Sequence, residues 1–249
     1  MLFYLDPFYL VLMIVTLVIS GAAQLFVTSA YKKWSGVRNA VSMTGLQVGQ
    51  AIVDRTTLGD FVNAPKSIQA AGQFGQAGST ITFQRTAGQL TDHYDPRTHS
   101  VSLSDGVASQ PSVAAMAIVA HELGHAQQHE QSSVLMAMRS FLVPAVRFSP
   151  QVAYIMIFLG FILRSADLIY IGALLYGVMV LFTLITLPVE IDASRRALGL
   201  LREANLIQDE NDAAGARRVL TAAAMTYVAA AVTAVLTLLY YLSLANRRR

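Results

Sequence analysis

Apolar and polar positions in this chain fall into long separate blocks. Apolar runs occupy residues 6–27, 168–189 and 222–245, and a further run at 141–163 is interrupted by Arg147 and two prolines. About 20 apolar residues at 1.5 Å rise cross the hydrocarbon of a bilayer, so each run predicts a membrane-spanning helix. The 141–163 run is continuously apolar only from Val152 to Leu163, and its first half is expected in the interface. Residues 30–140 have a different texture. "MTGLQVGQAIVDR" predicts a short helix with Thr44 as its cap. "STITFQR" and "HSVSLS" alternate as strands do, and the Asp-Pro of "YDPRTH" predicts a turn between them. "NAPKSIQAAGQFGQAGS" reads as a loop. "SVAAMAIVA" supplies the apolar stem of a helix, with Pro111 suited to its first turn and Ser109 to its cap.

Composition sharpens this picture. The 249 residues are 54% hydrophobic and only 13% charged, about half the charge of a soluble domain. No cysteine is present, which removes disulfides and thiolate metal sites. The net charge of +3 does not point to nucleic acid, because the basic residues cluster beside apolar blocks. Of 18 Lys and Arg, 14 lie in 28–151 and 190–221, against four at Arg164 and Arg247 to Arg249. The positive-inside rule therefore predicts that 28–151 and 190–221 are cytoplasmic. It sets the four-span count against the tail "NRRR", which then falls outside. The first run lacks a basic segment before it and has Lys32, Lys33 and Arg38 after it, so it reads as a retained anchor rather than a cleaved signal. The expected divisions are an anchor over 1–29, a cytoplasmic α+β domain over 30–140, a transmembrane hairpin over 141–189, a cytoplasmic segment over 190–221, and a last span with basic tail over 222–249.

The candidate chemistry lies at "HELGH", residues 121–125. Four helical residues advance about 400°, so His121 and His125 sit about 40° apart on successive turns and converge on one ion. Glu122 lies beside that face, within reach of a water on the ion. A shuffled chain of this composition would hold roughly 0.002 such matches. A catalytic zinc needs a third protein ligand and an open position. His129 lies about 12 Å along the helix from His121 and cannot close the same tetrahedron. It reads as an exposed helix residue or a substrate-side group. Gln128 and Gln131 stand where a metzincin would have Gly and His. The better third ligand is Glu190 in "LPVEIDASRRA", because a hairpin of the second and third spans returns it to the face of His121 and His125. Asp192 is its rival, or a group that orients a ligand imidazole. The apolar stem before the motif is too short, and "QQHEQSS" after it too polar, to bury the site in hydrocarbon as a site-2-type intramembrane protease does. "HSVSLS" is a candidate edge strand for substrate pairing. His93, Tyr94 and Arg97 are candidates to stabilise an oxyanion, or members of a turn held by Asp95.

Several stretches resemble the YugP-type neutral zinc metallopeptidases of bacterial membranes: "MTGLQVGQAI", "LTDHYDPRTHSVSLSDGV", "AAMAIVAHELGHAQQ" and "TLPVEIDASRRAL". The resemblance implies gluzincin-like chemistry with one Zn²⁺ per chain held by His121, His125 and Glu190, and Glu122 as general base. More distant membrane peptidases carry Glu-x-x-Ala-Asp; "EIDAS" keeps Glu190 and Ala193 but has Ser194 in place of the Asp. The expected fold is a mainly α integral membrane protein of about four transmembrane helices, with a small α+β zincin-like domain that carries the motif helix at the membrane surface. The expected function is a zinc-dependent endopeptidase of the cell (inner) membrane that acts on proteins or peptides, with the lipid bilayer as its other partner. The alternative is a non-catalytic membrane scaffold or adaptor that retains a structural zinc. A metal transporter would need polar ligands within the spans, and three of the four contain almost none.

Overall fold

A computed structural model of the chain describes residues 6–58 and 81–247. The loop expected at 63–79 lies outside them. The elements in order are α1 (Pro7–Ser35), α2 (Gly45–Arg55), β1 (Thr82–Thr86), β2 (His93–Asp95), β3 (Ser100–Ser104), α3 (Asp105–Ser109), α4 (Val113–Glu130), α5 (Val134–Ile162), α6 (Ala166–Glu203) and α7 (Glu210–Asn246). Among the described residues, α1, α5, α6 and α7 are long and apolar enough to cross a membrane. The chain divides into two compact units. One contains 1–25, 134–189 and 225–249, and the other 26–133 and 190–224.

The first unit is helical. Its apolar helices bury only part of their surface, and Phe141, Leu17 and Val134 are more than two-thirds exposed, as lipid-facing residues are. Inside, Ala153, Tyr176, Val180 and Ala234 form a core. The rings of Tyr176 and Tyr241 meet edge to face at 5.5 Å. Helix α5 runs without a break through Pro144 and Pro150, so the residues expected in the interface belong to the same helix as the apolar core that follows.

The second unit is α+β. Thr44 and Gln47 form a reciprocal capping box that starts α2, as "MTGLQ" predicts. The three-stranded sheet has the order β1-β3-β2, with β1 parallel and β2 antiparallel to β3. This corrects the expectation for "HSVSLS". It is the central strand, paired on both sides and buried at all five positions, so it offers no edge. Among the described residues, the outer strands are β1 and β2. Strand β2 lies inside the stretch read as a turn. The turn itself survives downstream, where Asp95 accepts the Arg97 backbone N–H at 2.9 Å.

Helix α4 runs through the core. Val113, Ala114, Met116, Ala117, Val119, Ala120 and Leu123 are at most 1% exposed. Its alanines leave room for α2, whose Val48 and Ile52 are fully buried, to pack closely. The cap of α4 is Ser112, whose Oγ accepts the Ala115 N–H at 3.1 Å. Ser109 ends α3 instead and donates to the Asp105 carbonyl within that turn. Two backbone hydrogen bonds, Asn39 N to Pro111 O and Val113 N to Val37 O, tie the chain after α1 to the start of α4. In this unit α6 contributes Glu190 to Glu203, with Ala193, Ala197, Leu200 and Leu201 buried.

Candidate metal centre

Two helices build the site. His121 and His125 are one turn apart on α4, with ring centroids 4.8 Å apart. Glu190 comes from α6 and is 2% exposed. Its Oε2 lies 3.2 Å from His121 Nε2 and 3.4 Å from His125 Nε2. Donors held tetrahedrally at about 2.0–2.1 Å from one ion stand about 3.3 Å apart, so this spacing fits a single zinc-sized ion. Glu122 is also buried, at 7% exposure.

Gly124 makes the approach of the helices possible. A Cβ there would fall 2.5 Å from the Ala193 carbonyl oxygen. The backbones of α4 and α6 therefore touch within the "HELGH" turn, and this brings Glu190 within reach of both imidazoles.

The outward imidazole nitrogens are also engaged. His125 Nδ1 is 3.0 Å from Gln128 Oε1, an acceptor, so Nδ1 carries a proton and Nε2 is the nitrogen turned toward Glu190. Gln128 is fully buried and donates through Nε2 to Asp192 at 2.8 Å. Arg196 donates to the same Asp192 oxygen at 2.6 Å, to Gln127 on α4 and to Gln131 at the C-cap of that helix. Asp192 thus reaches His125 through Gln128 and stands outside the group of His121, His125 and Glu190. His121 Nδ1 meets Ser194 Oγ at 3.3 Å. In the sequence Gln128 and Ser194 stood out only as departures from other peptidase patterns, without a role at the imidazoles. The signal was their spacing, three residues after His125 and four after Glu190.

Charge is strongly coupled here. Burial alone would raise the Glu190 carboxyl, but hydrogen bonds and charge from His121 and His125 hold it well below the usual carboxylate range. Burial opposes charge on His125, and the Glu190 carboxylate overrides it to raise the imidazole. Asp192 is lowered: the Arg196 and Gln128 hydrogen bonds outweigh its burial.

The other sequence candidates gather elsewhere. Tyr94 is buried on β2, and its hydroxyl shares a 2.8 Å hydrogen bond with His129 Nδ1. His129 is therefore half-buried and engaged with the sheet. Buried His99 Nε2 contacts Glu130 Oε1, and the His99 ring packs against those of Tyr94 and His129. Donor atoms of His99, His129 and Glu130 also lie within 4.8 Å of one another. This second cluster fastens the β2–β3 segment to the end of α4. His93 is exposed and its Nδ1–H donates to the Thr91 carbonyl at 2.8 Å. Arg97 lies in the turn that Asp95 holds.

A family model described as "Putative neutral zinc metallopeptidase" matches residues 76–246. The chain is 35% identical over 233 residues to the "Putative membrane protease YugP" of Bacillus subtilis (strain 168), which covers 94% of each chain. No solved structure matches it.

Proposed function

The chain belongs to the neutral zinc metallopeptidase family, and from that premise we propose that it is a membrane-embedded, zinc-dependent endopeptidase. His121, His125 and Glu190 would hold one zinc ion per chain. The observation that carries this reading is the single Glu190 oxygen 3.2 and 3.4 Å from the two imidazole nitrogens. Two imidazoles and one carboxylate with an open fourth position favour zinc.

A zinc ion bound there supplies Lewis acidity toward the scissile carbonyl and toward water. Glu122 is the general base: it takes the proton of the attacking water and returns it to the leaving amine. Gln128, with Asp192 and Arg196 behind it, fixes the tautomer of His125. Ser194 contacts His121 Nδ1 and orients that ring, in place of the Asp of more distant peptidases.

The motif helix and sheet form a zincin-like domain on the cytoplasmic face of the cell (inner) membrane. The charge distribution supports that side. An extended protein or peptide substrate would pair with β2, an outer strand among the described residues, which packs on α4. The decisive test uses purified full-length protein in detergent, assayed for zinc and for cleavage of unfolded casein with and without chelator. Zinc-dependent cleavage abolished by Glu122→Gln is expected. Bound zinc without cleavage would instead favour a non-catalytic scaffold with a structural zinc.

A further inference from the structure

A cavity of about 420 Å³ lies in the second unit between the end of α1 and the start of α7. Lys33 lines it from α1 and Arg218 from α7, with Phe26, Ser29 and Trp34. Among the described residues, no carboxylate lines it. The two cations are held in place by aromatic faces. Lys33 Nζ is 5.0 Å from the Trp34 ring centroid, and Arg218 Cζ is 4.5 Å from that of Phe26. Trp34 is seated firmly, since a Cβ on Gly215 would fall 2.5 Å from its Cε3. Its indole N–H is buried and has no acceptor among the described residues. Ser29 already donates its hydroxyl to the Phe26 carbonyl at 2.9 Å.

We propose that this cavity binds the phosphate of an anionic phospholipid. Lys33 and Arg218 are both exposed, and two cations lining one cavity give it a positive potential that favours an anion. The position selects a lipid over a soluble anion. On α1 the lining residues begin where the apolar run 6–27 ends, and on α7 they stop just before the apolar run 222–245 begins. Leu25, immediately before the cavity on α1, is 73% exposed. A headgroup phosphate between Lys33 and Arg218 therefore leaves its acyl chains beside apolar helix surface.

Trp34 is the only tryptophan of the chain, so its emission reports on this cavity alone. Full-length protein in non-ionic detergent is titrated with phosphatidylglycerol, phosphatidylcholine or inorganic phosphate, and native mass spectrometry counts bound lipid. Phosphatidylglycerol should change Trp34 emission saturably and leave one retained lipid, whereas phosphatidylcholine and phosphate should do neither. Lys33→Gln and Arg218→Gln should each weaken the phosphatidylglycerol response about fivefold. Arg55→Gln, on α2 and outside the cavity, should leave it unchanged. Equal responses to the two lipids, or unaltered affinity in both cavity variants, would overturn the proposal. Saturation by inorganic phosphate alone would overturn the lipid source and assign the cavity to free phosphate. Neither cation belongs to the metal centre, so the outcome is independent of peptidase activity.

Discussion

Glu190 Oε2 lies 3.2 Å from His121 Nε2, although the residues are 69 apart in the chain. The same oxygen lies 3.4 Å from His125 Nε2. Replacing Glu190 with Ala removes one of the three proposed zinc donors. The loss in zinc affinity should exceed the roughly 10–100-fold that an outer hydrogen-bond partner costs. Asp192→Asn should keep zinc near wild-type stoichiometry, because that residue acts through Gln128. Metal analysis of the two purified variants decides. Zinc retained in Glu190→Ala and lost in Asp192→Asn would exchange their roles.

Gln128→Ala deletes the acceptor for His125 Nδ1 and the donor to Asp192. Zinc affinity should fall about 10–100-fold while the fold persists. Competition with a chromophoric chelator measures it. Wild-type affinity would show that Gln128 does not position the imidazole.

Gly124→Ala places a methyl group 2.5 Å from the Ala193 carbonyl oxygen. Helices α4 and α6 must then separate. The expected cost is about 1–3 kcal/mol in stability, with reduced zinc occupancy. A melting temperature and zinc content equal to wild type would mean that the helices have slack at this contact.

Without metal, the site should carry a pH dependence of stability. The Glu190 contribution is present above its unfolded value of about 4.3 and is lost as pH falls through its depressed folded value. The His125 contribution is complete below about 6.5 and is lost as pH rises through its raised folded value. Metal-stripped protein should therefore be most stable between about pH 4.3 and 6.5, with a melting temperature that declines above that window. In Glu190→Gln the decline should flatten. An unchanged slope in that variant would locate the dependence elsewhere.

Tyr94→Phe removes the 2.8 Å hydrogen bond to His129. It should cost about 1 kcal/mol of stability and leave zinc content intact, because Tyr94 belongs to the cluster that fastens β2 to α4. Loss of zinc from this variant would place Tyr94 among the groups supporting the metal site.

The parts legible in the sequence were those with a strong period or a rare combination. Long apolar runs marked α1, α5, α6 and α7, and Thr44 with Gln47 marked the start of α2. The spacing of His121 and His125 on a helix, with Glu190 chosen as third ligand, named three residues whose donor atoms lie together in the structure. Other features were illegible for physical reasons. Strand β2 has only three residues and sits against Asp-Pro turn chemistry, so local pattern favours the turn. "HSVSLS" alternates like a half-exposed edge, yet its serines are buried between two neighbouring strands, a property that only tertiary pairing reveals. The choice of Ser112 over Ser109 as cap depends on the short α3 that intervenes. Gln128 and Ser194 occupy helical spacings shared by many residues with no partner, and their roles emerge only once α4 and α6 touch at Gly124.

The central claim is that one metal ion sits between two turns of α4 and a carboxylate of α6. X-ray absorption at the zinc edge of the purified protein, alongside Glu190→Ala, tests it most directly. The account predicts two imidazole nitrogens and one carboxylate oxygen at about 2.0–2.2 Å in the wild type, with the carboxylate missing in the variant. A zinc environment without paired imidazoles, or one identical in the two proteins, would contradict it.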